Sequence, residues 1–412
     1  MSRIRIIITI IVVVLTTLLT GCTGKEPNEI AYVVALGIDS TDDDNYKITI
    51  QYANTTQISG GASESGGKAG SEIVDNVTIE APNIYAGVGL ANNIVSKSFS
   101  MSHAKLIVFS KEIAEKGVKD MIETLVRSEE IRPDVFIAVA NTTANDYLTS
   151  VNPEMEVNPA QYYQLIYQKN QLVGIPDGQL REFFTGLYTD NYDSILPVAG
   201  VIEGSGSNRQ NDDKGQSKDG QNEGSEGSSE SLDSFESKSS DDKDENEKEK
   251  DAEKNTSKYE YDIKNYVGGE TAIEKKNKAE AIGAAVFEKD KMVGELGEVE
   301  TEICKILKGD YTYSYLTYYN NDTPDIPITV KTTQQKKPKY KIDTDKKTVD
   351  IELYIESDLY SLPADYNVEN KIEDFERDVA NYTSSACTEF INNFTKKYNS
   401  DILKLNEKVK YK

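Results

Sequence analysis

The run N-E-I-A-Y-V-V-A-L-G-I-D, from Asn28 to Asp39, decides how the chain begins to fold. Its central part, Ile30 to Ile38, is a nearly unbroken apolar segment, which predicts a buried β-strand. The segment Tyr46–Tyr52 alternates apolar and polar side chains, which predicts a second strand with one buried face. Three aspartates and an asparagine, residues 42–45, predict the turn of a hairpin between them. Loose Ca²⁺ binding by these aspartates is the alternative, but they lack the twelve-residue loop and closing glutamate of an EF-hand.

The remainder of the N-terminal half mixes helical and extended patterns. Ile84–Lys97 predicts a helix, whereas Lys105–Phe109 and Asp134–Ala140 predict short buried strands. Lys111–Arg127 predicts one amphipathic helix packed on a sheet, because its apolar residues recur at helical spacing. These residues are Ile113, Val118, Met121, Ile122 and Leu125.

The C-terminal half opens with a second hairpin pattern. Ala281–Phe287 and Lys291–Val293 flank a Lys-Asp turn and predict two paired strands. Gly297–Leu307 then predicts a helix, and Gly309 is the type of residue that commonly ends one.

The last part of the chain predicts strands followed by one long helix. Period-two segments occur at Ile326–Val330, Lys339–Ile342 and Thr348–Glu356. From Glu369 to about Tyr398 the pattern changes to a helical period, which predicts a long helix with one apolar face. That face carries Ile372, Phe375, Val379, Tyr382, Ala386, Phe390 and Phe394. Strands before a long helix favour a multi-domain α+β fold of mixed and antiparallel sheets, with the last helix lying on a sheet.

Residues 203–257 separate the two halves and differ sharply in composition. They contain 17 acidic and 8 basic residues, with Leu232 and Phe235 as the only large apolar side chains. Such a segment cannot bury enough apolar surface to offset the entropy of ordering, so we predict a disordered acidic linker. Its charges favour an extended spacer, and a regulatory acidic segment is the alternative. The predicted organisation is a leader at 1–21, an N-terminal α+β region at 22–202, the linker at 203–257 and a C-terminal α+β region at 258–412.

The first 21 residues predict a bacterial lipoprotein signal peptide. Arg3 and Arg5 precede the apolar run Ile6–Leu19, which as a helix is about 21 Å long and so shorter than the roughly 30 Å hydrocarbon core. Leu19-Thr20-Gly21-Cys22 fits the lipobox, in which the cysteine thiol takes a diacylglyceryl group. We therefore predict lipidation at Cys22, which anchors the chain on the outer face of the cytoplasmic membrane. An ordinary signal peptide with an incidental cysteine is the alternative.

Composition argues against several classes of protein. The net charge of −24 disfavours both nucleic-acid binding and electrostatic adhesion to anionic lipid. Beyond the lipobox, Cys304 and Cys387 allow one disulfide at most, and their helical surroundings favour two buried reduced thiols. With no C-x-x-C and a single histidine, His103, the chain does not resemble a zinc protein.

No sequence pattern indicates an enzyme. The chain has no G-x-S-x-G, no phosphate-binding glycine loop and no H-E-x-x-H. Gly87-x-Gly89 lacks the third glycine of a dinucleotide fingerprint. His103 precedes a buried strand, where a hydrogen-bonded histidine is a simpler interpretation than a catalytic one. We predict no catalytic residue, no cofactor and no metal site.

Several segments follow one another in an order that resembles a known family. They are N-E-I-A-Y-V-V-A-L-G-I-D (Asn28–Asp39), Y-K-I-T-I-Q-Y-A-N (Tyr46–Asn54), M-S-H-A-K-L-I-V-F-S-K-E-I-A (Met101–Ala114), E-I-R-P-D-V-F-I-A-V-A (Glu130–Ala140), A-A-V-F-E-K-D-K-M-V-G-E-L (Ala284–Leu296) and E-T-E-I-C-K-I-L-K-G (Glu300–Gly309). Together they resemble the Ger(x)C family, the lipoprotein C subunits of nutrient germinant receptors in endospore-forming bacteria. The chain departs from the family where Thr23-Gly24 replaces a tryptophan-aspartate pair.

The resemblance implies a fold, partners and a location. Ger(x)C proteins have a multi-domain α+β fold and no known catalysis. The chain would act with a multi-spanning A subunit and a transporter-like B subunit on the outer face of the spore's inner membrane. A solute-binding lipoprotein that delivers a small ligand to a membrane transporter is the alternative, and it predicts two similar lobes around a cleft. Neither interpretation names the germinant or any other ligand.

Overall fold

The predicted first hairpin is confirmed and forms one side of a mixed nine-stranded sheet. In the computed structural model, β1 (Ile30–Ser40) pairs antiparallel with β2 (Tyr46–Ala53), and β2 pairs antiparallel with β3 (Val74–Ala81). The turn closes when Thr41 N–H donates to the Asn45 carbonyl at 3.3 Å. The residues that the structure describes are 3–10, 26–43, 45–53, 74–153, 156, 158–168, 174–189, 192–202, 265–271, 277–318, 327–362 and 371–410.

Parallel strands continue the sheet on the other side of β1. The short β4 (Ser98–Ser100) pairs with the first residues of β1, and β5 (Leu106–Ser110) pairs with its second half. β6 (Phe136–Ala140) follows β5, and β7 (Ile195–Val201) follows β6. Every residue of β5 and β6 is buried, as expected for parallel strands that are covered on both faces.

The sheet crosses from the N-terminal half into the C-terminal half. β8 (Ala279–Glu288) pairs antiparallel with β7, and β9 (Lys291–Leu296) pairs with β8, which confirms the second predicted hairpin. Val201 and Ala279 are partners in the β7–β8 ladder although 77 residues separate them in the chain. The predicted linker, 203–257, lies outside the described residues. The strands on its two sides, β7 and β8, pair directly with each other.

Helices pack on both faces of this sheet. One face carries α1 (Ile84–Ala91), α2 (Lys111–Lys116), α3 (Lys119–Val126) and α6 (Leu180–Tyr188). The opposite face carries α4 (Ala144–Ser150) and α5 (Pro159–Tyr167). β1 contributes to both cores: Leu36 and Ile38 enter one of them and Val34 the other, because the β1–β2 register shifts between Val33 and Ala35.

The single helix predicted at Lys111–Arg127 is wrong, because the chain breaks it at Gly117. Gly117 adopts a φ of +125° and donates to the Ile113 carbonyl at 3.0 Å, which ends α2. Val118 N–H then donates at 3.0 Å to the carbonyl of Asp290, in the turn between β8 and β9. The helix predicted at Ile84–Lys97 likewise ends early, at Ala91.

Smaller sheets follow in the C-terminal half. The helix predicted before Gly309 is confirmed as α7 (Glu298–Lys308), which Gly309 ends in the left-handed conformation at φ 77°. A three-stranded antiparallel sheet then has the order β10-β11-β14, and β12 pairs with β13. The strand predicted at Thr348–Glu356 is two strands in different sheets. The bounds are β10 Tyr313–Tyr318, β11 Ile328–Gln334, β12 Lys339–Asp343, β13 Thr348–Glu352 and β14 Ile355–Ser361.

The long C-terminal helix is confirmed as α8 (Ile372–Lys397), and a short α9 (Leu405–Lys410) follows it. Phe375 and the first half of α8 pack on the β10-β11-β14 sheet, and Phe390 and the second half pack on α7 and β8. The apolar face therefore spans two cores, although Ile372 itself is exposed. These mixed and antiparallel sheets with packed helices form the α+β fold that the sequence predicts.

Candidate functional site

The predicted lipidation site, Cys22, lies outside the described residues. Glu26 is the first residue described after it, and Pro27–Glu29 forms one 3₁₀ turn that leads directly into β1. The seven residues between Cys22 and Ile30 span at most about 25 Å when extended. Residues 3–10 form an exposed helix, and none of the helices in the described part of the chain is long and apolar enough to cross a membrane. Lipidation of Cys22 stays a prediction.

The end of the family-like first strand positions a helix. The Asp39 carboxylate accepts hydrogen bonds from Ala144 N–H at 2.7 Å and Asn145 N–H at 3.0 Å, at the start of α4. Burial raises the pKa of this carboxyl, and the two backbone bonds oppose that rise. Gly37 allows close approach, because a Cβ there would lie 3.0 Å from Leu148 Cδ1. The L-G-I-D segment is therefore explained by packing of α4 on β1.

A buried tyrosine network joins α4 and α5 to the sheet. The Tyr147 and Tyr167 hydroxyls are 2.9 Å apart, and the Tyr163 hydroxyl donates to Gln51 Oε1 at 2.6 Å. Gln51 Nε2 in turn donates to the Leu148 carbonyl at 2.9 Å. Burial raises the pKa of all three phenols above the ordinary range. They stay neutral and act as hydrogen-bonded core groups rather than as acids.

Glu302 on α7 is the most strongly perturbed carboxyl group of this region. Its Oε1 accepts a hydrogen bond from the Tyr311 hydroxyl at 3.4 Å, and burial raises its pKa to about 7. One turn away, burial lowers the pKa of Lys305, whose Nζ donates to the Ile175 carbonyl at 3.2 Å. Sequence analysis missed this group, and its spacing of four residues from the buried Ile306 is the signal that could have revealed it. Its contacts make it a pH-sensitive packing group.

An apolar groove of about 1630 Å³ lies between α8 and the strands β12 to β14. One wall includes Ile351 and Ile355, and the other includes Val379 and Ile391. Cys387 also lines the groove, and burial raises the pKa of its thiol to about 12, so the thiol is protonated. The groove offers apolar contact area and no activated nucleophile at this cysteine.

The remaining sequence candidates have structural surroundings. Cys304 and Cys387 are both free and buried, as predicted. His103 is exposed, with its Nδ1 at 3.0 Å from the Ser102 hydroxyl and its ring edge-on to Tyr32 at 4.7 Å. Among the described residues, no group of three or more His, Cys, Asp or Glu side chains is placed to hold a metal ion.

Two family models match the chain, one on each side of the predicted linker. The model described as "Spore germination protein N-terminal domain" matches residues 24–201, and that described as "Spore germination B3/ GerAC like, C-terminal" matches residues 282–412. The chain belongs to the Ger(x)C family. The two Ger(x)C matches meet inside the large sheet, because the first ends at the last residue of β7 and the second begins in the neighbouring β8.

Relatives with curated names are similar over part of the chain. Spore germination protein KC of Bacillus subtilis (strain 168) is 26% identical over 176 residues, which is 39% of this chain and 43% of that protein. Spore germination protein B3 of the same strain is 26% identical over 34% of this chain and 36% of its own length. Spore germination protein GerQC of Bacillus cereus is 27% identical over 25% of this chain and 29% of its own length. The chain therefore spans less than half the length of these Ger(x)C relatives.

A solved structure is also similar. The crystal structure of the GerBC protein aligns with a TM-score of 0.44 and 13% sequence identity, over 89% of this chain and 84% of that one.

Proposed function

We propose that this chain is a non-catalytic, lipid-anchored C subunit of a spore nutrient germinant receptor. The observation that carries the proposal is the pair of family matches, which lie in order on both sides of the linker. Curated relatives named as spore germination proteins support the same process. The chain acts through contacts with membrane-embedded A and B subunits on the outer face of the spore's inner membrane.

The N-terminal sequence supports anchoring through Cys22. The L-T-G-C lipobox precedes a tether of seven residues, which keeps the sheet within about 25 Å of an acyl chain in the bilayer. Two or more acyl chains on one residue give stable membrane attachment, whereas one gives only marginal binding. A subunit held at this distance is well placed to contact partners embedded in the same bilayer.

Deletion of the gene tests the proposed process. Spores of the deletion strain should lose, or strongly slow, the fall in optical density that follows one nutrient germinant, while sporulation yield stays normal. Complementation with the wild-type gene should restore the response, and a Cys22→Ala gene should restore it poorly, because that chain is not anchored. Full germination with every nutrient in a deletion strain that has no paralogue would refute the proposal.

Affinity purification from the spore inner membrane tests the proposed partners. A tagged wild-type chain should recover two membrane-spanning proteins of the A and B types. Recovery of the tagged chain alone, from detergent conditions that preserve other membrane complexes, would contradict a receptor subunit. The solute-binding alternative requires two similar lobes around a cleft, and the sheet shared by both halves of the described chain does not divide in that way.

A further inference from the structure

One segment of this acidic chain is free of acidic residues. The chain has 70 Asp and Glu residues, yet none occurs in the 31 residues between Glu80 and Glu112. The segment contains α1, the loop that follows it, β4 and β5. It carries three lysines and one histidine: Lys97, His103, Lys105 and Lys111. Its local charge is therefore opposite to that of the whole protein.

This segment also exposes large apolar side chains. Ile94, in the loop between α1 and β4, is 67% exposed, and Leu90, at the end of α1, is 48% exposed. The residues between them are Ala91, Asn92 and Asn93, and the next charged residue is Lys97. Exposed leucine and isoleucine beside a lysine fit a membrane interface, where apolar side chains insert and lysines face the headgroups. Residues 90–97 are called the apolar loop below.

The apolar loop lies beside the point at which the tether from Cys22 joins the sheet. Asn92 Oδ1 accepts a hydrogen bond from Phe99 N–H at 2.7 Å, which folds the loop back on β4. Phe99 is the register partner of Ala31, the second residue of β1. The loop and the tether therefore share one end of the sheet.

The opposite end of β1 lies far from the apolar loop. β1 has 11 residues, which corresponds to a length of about 35 Å. The turn beyond its last residue contains Asp42 and Asp43, and both are exposed. This turn is therefore a reference surface about 35 Å from the apolar loop.

We propose that the apolar loop contacts the lipid surface directly, with Ile94 and Leu90 inserted among the headgroups, as a second attachment besides the acyl chains. The proposal rests on lipidation of Cys22 in the proposed function. The seven-residue tether keeps the start of β1, which the apolar loop adjoins, within about 25 Å of the acylated Cys22. Insertion removes two exposed apolar side chains from water, which favours the bound orientation.

Site-directed fluorescence on the full chain tests this contact. An Ile94→Cys variant is labelled with an environment-sensitive maleimide dye in phosphatidylethanolamine–phosphatidylglycerol vesicles that contain a nitroxide-labelled acyl lipid. Burial raises the thiol pKa of Cys304 to about 11 and that of Cys387 to about 12, so these cysteines stay protonated and unlabelled. Asp42→Cys is the matched control, because this position is also exposed and lies in the turn beyond the far end of β1.

For the dye at position 94 we expect a blue-shifted emission that the nitroxide lipid quenches. Neither change is expected for the dye at position 42. Leu90→Cys should repeat the result at position 94. Unquenched dye at both 90 and 94, in chains that float with the vesicles, would overturn the lipid contact. A blue shift that needs co-reconstituted membrane subunits and is insensitive to the nitroxide would also overturn it, in favour of a protein partner.

The wild-type chain separates this outcome from failure of the anchor. Wild-type protein should float with the vesicles and take up no dye, because the Cys22 thiol is acylated. Dye uptake at Cys22, or failure to float, would contradict the proposed anchoring, and the lipid contact would be rejected with it.

Discussion

Replacing Glu302 with glutamine should flatten the pH dependence of the free energy of unfolding between pH 5 and pH 8. Burial raises the pKa of this carboxyl from the ordinary 4.5 to about 7. Between these two values the folded protein binds a proton that the unfolded chain releases. The free energy of unfolding therefore falls as the pH rises from about 4.5 to about 7, because the carboxyl must be buried in its charged form.

The size of the effect follows from the two pKa values. The gap between 4.5 and about 7 corresponds to about 3 kcal/mol when it is fully expressed. Of this, about 2.5 kcal/mol should be lost between pH 5 and pH 8 in the wild-type protein. Glutamine has a similar shape and can still accept a hydrogen bond from the Tyr311 hydroxyl, but it carries no proton that depends on pH.

Urea denaturation of the full chain, followed by far-ultraviolet circular dichroism at pH 5, 6.5 and 8, measures the difference. Glu302→Gln should be more stable than wild type at pH 8 and close to it at pH 5. Glu115→Gln, on the exposed side of α2, removes the same charge and should keep the wild-type pH dependence. Equal losses in wild type and Glu302→Gln between pH 5 and pH 8 would refute the reasoning.

Further substitutions and one reagent test other parts of the structure. Gly117→Ala should lower the free energy of unfolding by about 1–3 kcal/mol, because Gly117 has a φ of +125°. Gly89→Ala should not destabilise the protein, because a Cβ at Gly89 would meet open space. Thermal melts compare the two variants. Asp39→Ala should lower the free energy of unfolding by about 1–2 kcal/mol, because the Ala144 and Asn145 N–H groups at the start of α4 lose their acceptor. Asp39→Asn should recover part of this loss in the same melts. Ellman's reagent at pH 8 should leave Cys304 and Cys387 unmodified in the folded protein and react with both in urea; rapid reaction in the folded protein would contradict their burial.

The hydrophobic pattern predicted the strands and helices whose buried face can be read from their own sequence. β1 and β2 follow from a continuous and an alternating run, and α8 follows from one apolar stripe. The break between α2 and α3 could not be predicted in the same way, because the apolar spacing continues across Gly117. α2 ends at Gly117, and the next residue, Val118, bonds to the β8–β9 turn, which is distant in sequence.

Other elements escaped prediction because their patterns were ambiguous. β10, within Y-T-Y-S-Y-L-T-Y, consists of tyrosines and small polar residues, which pack in a sheet without a clear apolar run. The segment at Thr348–Glu356 alternates without interruption, yet the chain divides it between two sheets. Alternation predicts a strand but does not choose its partner.

The candidate sites differ in the same way: one follows from local sequence, and the others depend on contacts in the folded protein. Cys22 is predicted from local sequence, because the peptidase and the acyl transfer read a short extended segment. The pKa of Glu302 depends on its burial in the folded protein, and the exposure of Ile94 depends on how the loop after α1 folds back on β4. Neither property can be read from a short stretch of sequence.

The pairing of Val201 with Ala279 has a practical consequence for work on the whole receptor. The chain leaves the sheet after Val201 and returns to it at Ala279, which is the partner of Val201 in the β7–β8 ladder. The two ends of the connection are therefore held together, whatever its length. Each doubling of a flexible loop costs only about 0.6 kcal/mol. A fluorescent protein or an epitope placed between residues 203 and 257 should therefore leave both family-matched regions folded, and it would provide a reporter for following the subunit in germinating spores.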